Sequence, residues 1–409
     1  MAAVDWRRIA LGLASLAVLG RVVIISAFPA LRVPYTYEPE VITENILAGR
    51  GFLFPHFGLE YRAVRPLFVY LCVAVYWLTD HSHVAVLAVQ AVLSGLTVFT
   101  GFLIGRHLAG PATAGLAVSF TAVEPALWYY DVTRIHPLGL EALLLCLVVL
   151  SFLWLSVTPH WTAFLLAGAA AGAAIYQRGP VIFFLPAGLI LVGYWHRLGF
   201  FHWIRGIILF GLGSLLILSP WLVRTYTVYG RPVISTAVPE LFWVGNNPNA
   251  TGSAVTASGQ TMLDAAPDAF RSRILSAPDE ETQQRLFRDE LVRFVTSHPW
   301  QAFTLFVKKV YYFWWFTPQA GREHPPWALS VYKPLYFWAL LAAVWGAVVG
   351  LRGIRQRQFV LLLLFLLTVS MGQSLFYVEG RHRLALMPLL LHPAAVGVLD
   401  LVSRARRFA

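Results

Sequence analysis

Charge is scarce in this chain. Of its 409 residues only 12% are charged, whereas a soluble surface carries about 25%. A run of two or three soluble domains is therefore excluded. Cysteine is nearly absent. Cys72 and Cys146 are too few for a disulfide scaffold, and both lie in apolar runs, where they read as small buried residues. Polar tracts are missing as well, and 58% hydrophobic residues exclude disorder. No basic groove interleaved with exposed aromatics is visible, so no nucleic acid is expected as a partner. No internal repeat or inverted-repeat signature of a secondary transporter shows. His56, His136 and His382 do not fall at metal-ligand spacing.

Apolar runs are what the chain has. A helix needs roughly 20 apolar residues to cross about 30 Å of hydrocarbon. Candidates lie near 9–29, 66–79, 83–105, 109–128, 137–157, 162–176, 180–195, 204–222, 301–316, 335–351, 358–377 and 384–402. Several are short. The expectation is an all-α polytopic membrane protein with about ten to twelve transmembrane helices, short interfacial helices and two extracytoplasmic loops. The first run is read as a span, since it is too long for a cleaved signal peptide.

Two segments are not membrane-like, 30–65 and 225–300. They divide the chain into an N-terminal module 1–224 that includes loop 30–65, a loop 225–300, and a C-terminal module 301–409. The positive-inside rule makes Arg7, Arg8, Arg355, Arg357, Arg404, Arg406 and Arg407 cytoplasmic anchors, with loop 30–65 and Glu379 to Arg383 outside. Arg106, Arg134, Arg197 and Arg205 cannot all be cytoplasmic under simple alternation. In the second loop, Ser276 with Asp279 three residues on reads as a helix start, and Leu286, Phe287, Leu291, Phe294 and Val295 form one apolar stripe. Lys308 and Lys309 suit lipid headgroups. Trp and Tyr read chiefly as interfacial belts, while Tyr61, Trp128, Tyr129, Trp243 and Trp314 could stack on or line a bound ligand.

The stretch YEPEVITENILAGRGF, 37–52, carries the most chemistry. Glu38 precedes Pro39, which suits a first helical position. Val41, Ile42, Ile46 and Leu47 share one face, and Gly49 and Gly51 end the helix. Glu38 thus sits at a helix start, where the macrodipole favours its ionised form. Such a carboxylate could serve as a general base or merely cap the helix.

This stretch resembles the first-loop signature of glycosyltransferase family 39-like membrane proteins, of the GT-C superfamily that includes protein O-mannosyltransferases and lipid A aminoarabinose transferases. Similar motifs follow in order: AVRPLFVYL (63–71), YQRGPVIFFLP (176–186), PWLVRTYTVYGRPV (220–233), GNNPNATG (245–252), SHPWQAFTLFVKKVYYFW (297–314) and RHRLALMPLLL (381–391). The resemblance implies a GT-C bundle, a polyprenyl-phosphate sugar as donor and an acceptor outside the cytoplasm. That acceptor is a glycan, lipid or protein. It also implies a first-loop acid as base, matched here by Glu38 with Glu40 in reserve. The chain departs from the family at Tyr35 and Thr36, where acids are common, at Arg65 for proline, and at His382 for tyrosine. The paired carboxylates of some metal-dependent relatives are absent, so no tightly bound metal or other cofactor is expected.

A sugar phosphate already has a good leaving group, so the reaction needs a base for the acceptor hydroxyl and cations for the departing phosphate. Arg62, Arg65, Arg178, Arg224, Arg381 and Arg383 are the candidate phosphate partners. Glu141, shortly after His136 and Pro137, is an ionisable residue at the start of an apolar run, and both His136 and Glu141 are candidate substrate contacts. One-step displacement would invert the anomeric centre. The protein is then expected in a bacterial plasma membrane with its site facing outside. The alternative is a transporter or flippase of a lipid-linked saccharide, whose anionic head group the same arginines and Glu141 would suit. A non-catalytic membrane scaffold is a weaker third reading.

Overall fold

The computed structural model describes residues 5–64, 66–320 and 326–408. Its elements are helical except for one hairpin. Helix α1 (Trp6–Ala27) leads to α2 (Glu38–Leu47), the hairpin β1 (Phe54–His56) and β2 (Leu59–Tyr61), and α3 (Pro66–Thr79). There follow α4 (His83–Leu108), α5 (Pro111–Ala122), α6 (Pro125–Thr133), α7 (Leu138–Leu155) and α8 (Trp161–Gln177). A 3-10 turn, Gly179–Phe183, opens α9 (Leu185–Trp195), and α10 (Phe200–Tyr229) is the longest helix. The second loop holds α11 (Val238–Gly245), α12 (Asp268–Leu275), α13 (Glu280–Ser297) and α14 (Pro299–Trp314). The chain closes with α15 (Pro326–Leu351), α16 (Gln356–Ser374), α17 (Gly380–Leu384) and α18 (Met387–Phe408).

Six helices, α1, α4, α7, α10, α15 and α16, are long and apolar enough to cross a membrane. Two shorter apolar stretches accompany them, Pro66–Thr79 and Gly179–Trp195. Several helix ends are fixed by side chains. Arg355 bonds the Arg106 carbonyl, His196 meets the Ser156 carbonyl at 3.1 Å, and Arg357 lies over Trp195 at 5.9 Å. These contacts gather Arg106, Arg197 and the 352–357 turn at one basic end. Arg205 joins them near the start of α10, whose Trp203 packs at Gly193. Arg134 lies at the other end, where α6 turns into α7 beside Tyr35. The four arginines that defied simple alternation thus sort three to one.

The runs 66–79 and 301–316 correspond to α3 and α14. Helix α3 lies along α2, with Tyr76 bonded to Glu40, and α4 starts beside the same Glu40 at His83. Helix α14 stays at the loop end. Its Lys309 is fully buried rather than among headgroups, donating to Gly245 O, Asn246 Oδ1 and Leu375 O at 3.1, 2.8 and 3.3 Å. Lys308 is exposed on the opposite face.

Close helix packing relies on glycine at two crossings. A Cβ at Gly168 would collide with the Phe210 carbonyl of α10, and one at Gly346 with the Pro393 carbonyl of α18. At the loop end, α2 begins one residue earlier than its proline suggests: Tyr37 is the cap and Glu38 the first helical residue. Gly49 and Gly51 end it with φ of 74° and 87°, a conformation only glycine adopts cheaply. Helix α13 is capped by Asp279, whose carboxylate accepts from Thr282 N at 2.7 Å, while Ser276 ends α12 instead. The α13 stripe feeds a small separate core of Trp243, Met262, Leu263, Phe270, Ile274 and Phe287.

One buried ion pair ties the first helix to the rest. Arg21 Nε donates to Asp131 at 2.7 Å, and Ser94 adds a 2.5 Å bond to the same oxygen. Both partners are almost wholly buried. Removing one member strands the other charge in an apolar setting. Asp131→Ala is therefore expected to destabilise the folded protein by about 3–5 kcal/mol. Thermal unfolding in detergent measures it, and an unshifted transition contradicts the assignment.

Candidate active site

The segment between α1 and α2 is fastened before it reaches the first acid. Tyr35 N donates to Thr133 O at 2.9 Å, and Ile135 N donates back to Tyr35 O at 3.1 Å. This short parallel bridge sets Tyr37 and Glu38 against the α6–α7 turn. Glu38 is half-buried at the positive end of α2 and faces a small cavity lined by Tyr37, Pro39, Phe68, Pro137 and Gln177. His136 is buried next to it. Its backbone N–H donates to Gln90 Oε1 at 2.9 Å, and its Nδ1 accepts from Leu138 N at 3.0 Å. The His136 ring lies 5.8 Å from Tyr37 and 4.9 Å from Tyr130.

Glu40 is differently placed. Its carboxylate accepts from Tyr76 at 2.6 Å and meets His83 at 3.0 Å. These contacts lock α2 to α3 and α4 and occupy the group.

A cavity of about 490 Å³ lies between α6, α15, α17 and the 253–259 stretch. Apolar and aromatic side chains dominate its wall, Tyr129, Tyr130, Phe316, Trp327, Tyr332 and Leu335 among them. Its polar head is Glu379, Arg381 and Arg383. The Arg383 side chain is buried, with its guanidinium 4.4 Å from the Phe316 ring and 4.0 Å from that of Tyr336. One nitrogen donates to Trp315 O at 2.9 Å, and Nε has no hydrogen-bond partner. Arg381 pairs with Glu379 at 2.6 Å. Burial alone would weaken its basicity, but Glu379, Tyr377, Tyr37 and Tyr130 raise it well above the ordinary value. Arg381 shares the cavity wall with Tyr130, whose ring is the one packed on His136. Deeper down, Tyr332 donates to Glu124 at 2.7 Å, and that carboxylate also caps α6 through Leu127 N at 2.6 Å.

The other sequence-selected residues lie around this centre. Arg178 grips Glu141 at 2.9 and 3.2 Å, beside a small cavity shared with His382 and Gln373. Arg224 belongs to an aromatic cluster, 5.1 Å from the Phe52 ring and 4.7 Å from Trp221, and donates to Arg62 O at 2.8 Å. The Arg62 side chain is exposed, and Arg65 falls outside the described residues. Of the five aromatics singled out from the sequence, Tyr129 lines the large cavity. Tyr61 joins a polar network, Trp128 covers Arg21 at 4.3 Å, and Trp243 fills the small core.

Some neighbours escaped sequence reading. Arg134 stacks on Tyr35, Tyr129 and Tyr130 at 5.1, 5.5 and 5.3 Å. Its position between two tyrosines and His136-Pro137 was the available signal. Glu379, Tyr37 and Gln177 carried none. Among the described residues, no group of three or more His, Cys, Asp or Glu could hold a metal ion.

Residues 63–223 match the family model of dolichyl-phosphate-mannose-protein mannosyltransferases, which bears out the motif resemblance over that stretch. The fold is that of the archaeal oligosaccharyltransferase AglB from Archaeoglobus fulgidus. Its complex with an inhibitory peptide and a dolichol-phosphate aligns with TM-score 0.54 at 12% identity, over 98% of this chain and 51% of that one. Its apo form gives 0.52 over the same shares. The chain thus spans about half the length of that protein and carries the expected GT-C architecture. ArnT from Cupriavidus metallidurans bound to undecaprenyl phosphate aligns with TM-score 0.43 at 15% identity, over 98% of this chain and 79% of that one. No curated protein sequence matches the chain.

A polar network seals the two loops together. His56 meets Glu240 at 2.8 Å, and Tyr61 donates to Gln283 at 2.6 Å. Burial opposes protonation of His56, but the bond and charge of Glu240, with Glu38 beyond, raise its pKa above 6.5. A raised value in the folded state means that the protonated pair contributes stability fully below pH 6.5, lost as pH rises through the raised value. Amide exchange in the hairpin is expected to quicken across that interval, and His56→Gln to abolish the dependence. An unchanged pH profile in that variant would refute the assignment.

Proposed function

We propose that this protein is an integral-membrane glycosyltransferase that moves a sugar from a polyprenyl phosphate to a hydroxyl of an extracytoplasmic acceptor. One observation carries the reading: Tyr130, in the wall of an apolar cavity headed by two arginines, packs on His136, which packs in turn on Tyr37 beside Glu38. The cavity suits the first part of a prenyl chain, and the two guanidiniums suit its phosphate. The matched family and the peptide- and dolichol-phosphate-bound oligosaccharyltransferase support that donor class.

The chemistry follows from the groups present. Glu38 takes the proton of the acceptor hydroxyl. The oxygen forms a bond to the anomeric carbon as the carbon–oxygen bond to phosphate breaks, and the electron pair leaves on phosphate. Arg381 and Arg383 stabilise the charge gained there, worth perhaps 10²-fold or more, while the base adds about 10²–10⁴-fold. Attack opposite the leaving group inverts the anomeric centre. Glu40, held by Tyr76 and His83, positions α2 rather than the proton. Glu141 and Arg178 neutralise one another beneath the head. No bound cofactor enters the step.

The basic end bears Arg106, Arg197, Arg205, Arg352, Arg355 and Arg357, which supports a cytoplasmic position for it with the loops outside. A bacterial plasma membrane suits this orientation. On this reading residues 1–224, 225–300 and 301–409 are two membrane modules around an outer loop.

Glu38→Gln is expected to lower transfer at least about 100-fold in reconstituted protein without changing its melting behaviour. Arg381→Gln and Arg383→Gln should each weaken binding of a polyprenyl phosphate about 10–100-fold, as lost charge-assisted hydrogen bonds imply. Titration with undecaprenyl phosphate measures this. Unchanged affinity in both variants removes the cavity as donor site. Lipid movement without sugar transfer would favour transport instead.

A further inference from the structure

Arg21 with Asp131 and Arg178 with Glu141 are closed pairs, their side chains 1% and 3%, and 15% and 8%, exposed. Arg381 with Glu379 is an open one. The two meet at 2.6 Å with 19% and 22% of their side chains exposed, and both line the cavity of about 490 Å³. A carboxylate thus stands in the wall of a site otherwise suited to an anion.

The backbone here does not depend on that ion pair. Val378 N donates to Gly252 O at 2.9 Å, Tyr377 O accepts from Gln373 Nε2 at 2.9 Å, and Glu379 N meets His382 Nδ1 at 3.3 Å. Glu379 caps α17, the short helix that carries Arg381 and Arg383. It therefore stays beside both arginines when a ligand arrives. Glu124 lies deeper, its carboxylate taken up by Tyr332 and by Leu127 N. Glu379 is left as the carboxylate at the head.

Such a group weakens the binding of every anion, but not equally. The donor lipid is a phosphodiester with one negative charge. When its bond to the anomeric carbon breaks, the electron pair stays on the phosphate oxygen, and the acceptor's proton goes to the base. The lipid product is then a phosphate monoester, of charge about −1.5 to −2 at pH 7. Repulsion grows with that charge, and a partly buried site screens it less than water does. We propose that Glu379 is a specificity-determining residue that disfavours the doubly charged lipid: it tolerates the singly charged donor and helps expel the polyprenyl monophosphate after transfer. In the transition state only part of the second charge has formed, so the penalty there is smaller than in the product. Once the head empties, Glu379 again pairs with Arg381, as seen here. This inference rests on the cavity being the donor site.

The test uses the full chain in nanodiscs and two probes with the same tail, undecaprenyl phosphate and undecaprenyl methyl phosphate. At pH 8 the first is a dianion and the second a monoanion. Wild type, Glu379→Gln and Arg381→Gln are titrated with each. Glu379→Gln keeps the side-chain shape, and an oxygen able to cap α17. It is expected to bind undecaprenyl phosphate about tenfold more tightly than wild type, with dissociation slowed by a like factor. The methyl ester, with half the charge, should gain only about threefold. A tighter monoester is an outcome that a merely structural role for Glu379 does not produce. Equal gains for both probes, no gain, or a loss overturns the inference. If Arg381→Gln weakens both probes while Glu379→Gln fails to favour the monoester, the inference alone falls. If Arg381→Gln leaves both affinities unchanged, the donor-site reading falls and takes the inference with it.

Discussion

A guanidinium inside an apolar bundle needs an answering group, and three such cases in this protein are answered differently. Arg21 has the carboxylate of Asp131, and Arg178 that of Glu141. Arg383 has two aromatic faces and one carbonyl, with its Nε unmet. Aromatic faces hold a cation without cancelling it. The first two arrangements close a charge off, whereas the third leaves it uncancelled. The site reading follows from this distinction more than from any single distance.

Position along the bundle matters as much as pairing. The α6–α7 turn brings Arg134, His136 and Tyr130 to the same level as Tyr37 and Glu38, and α17 brings Arg381 to meet them. Three widely separated pieces of chain thus converge at one end, while Arg106, Arg197, Arg205, Arg352, Arg355 and Arg357 collect at the other. The asymmetry gives the molecule a chemical face and an anchoring face.

Much of the architecture was legible in the sequence. Hydropathy located the long helices because crossing a bilayer imposes length and composition together. Gly49, Gly51 and the α13 stripe were readable because caps and faces are local. Partners distant in sequence were not. Nothing local tells that Glu40 meets Tyr76 and His83, 36 and 43 residues away, or that Lys309 is buried against Asn246 rather than among lipids. The family match, 63–223, includes neither Glu38 nor the arginines of the cavity head, so their meeting could be found only in three dimensions.

The seal between the loops bears on how the protein is made. Tyr61 and His56 of the hairpin find Gln283 and Glu240 222 and 184 residues later. A growing chain has by then threaded all of α4 to α10 into the bilayer. Until that late synthesis, the hairpin beside Glu38 lacks the groups that hold it. The seal is therefore completed only once residue 283 has been made, and a truncation before it would leave the hairpin without Gln283 to hold Tyr61.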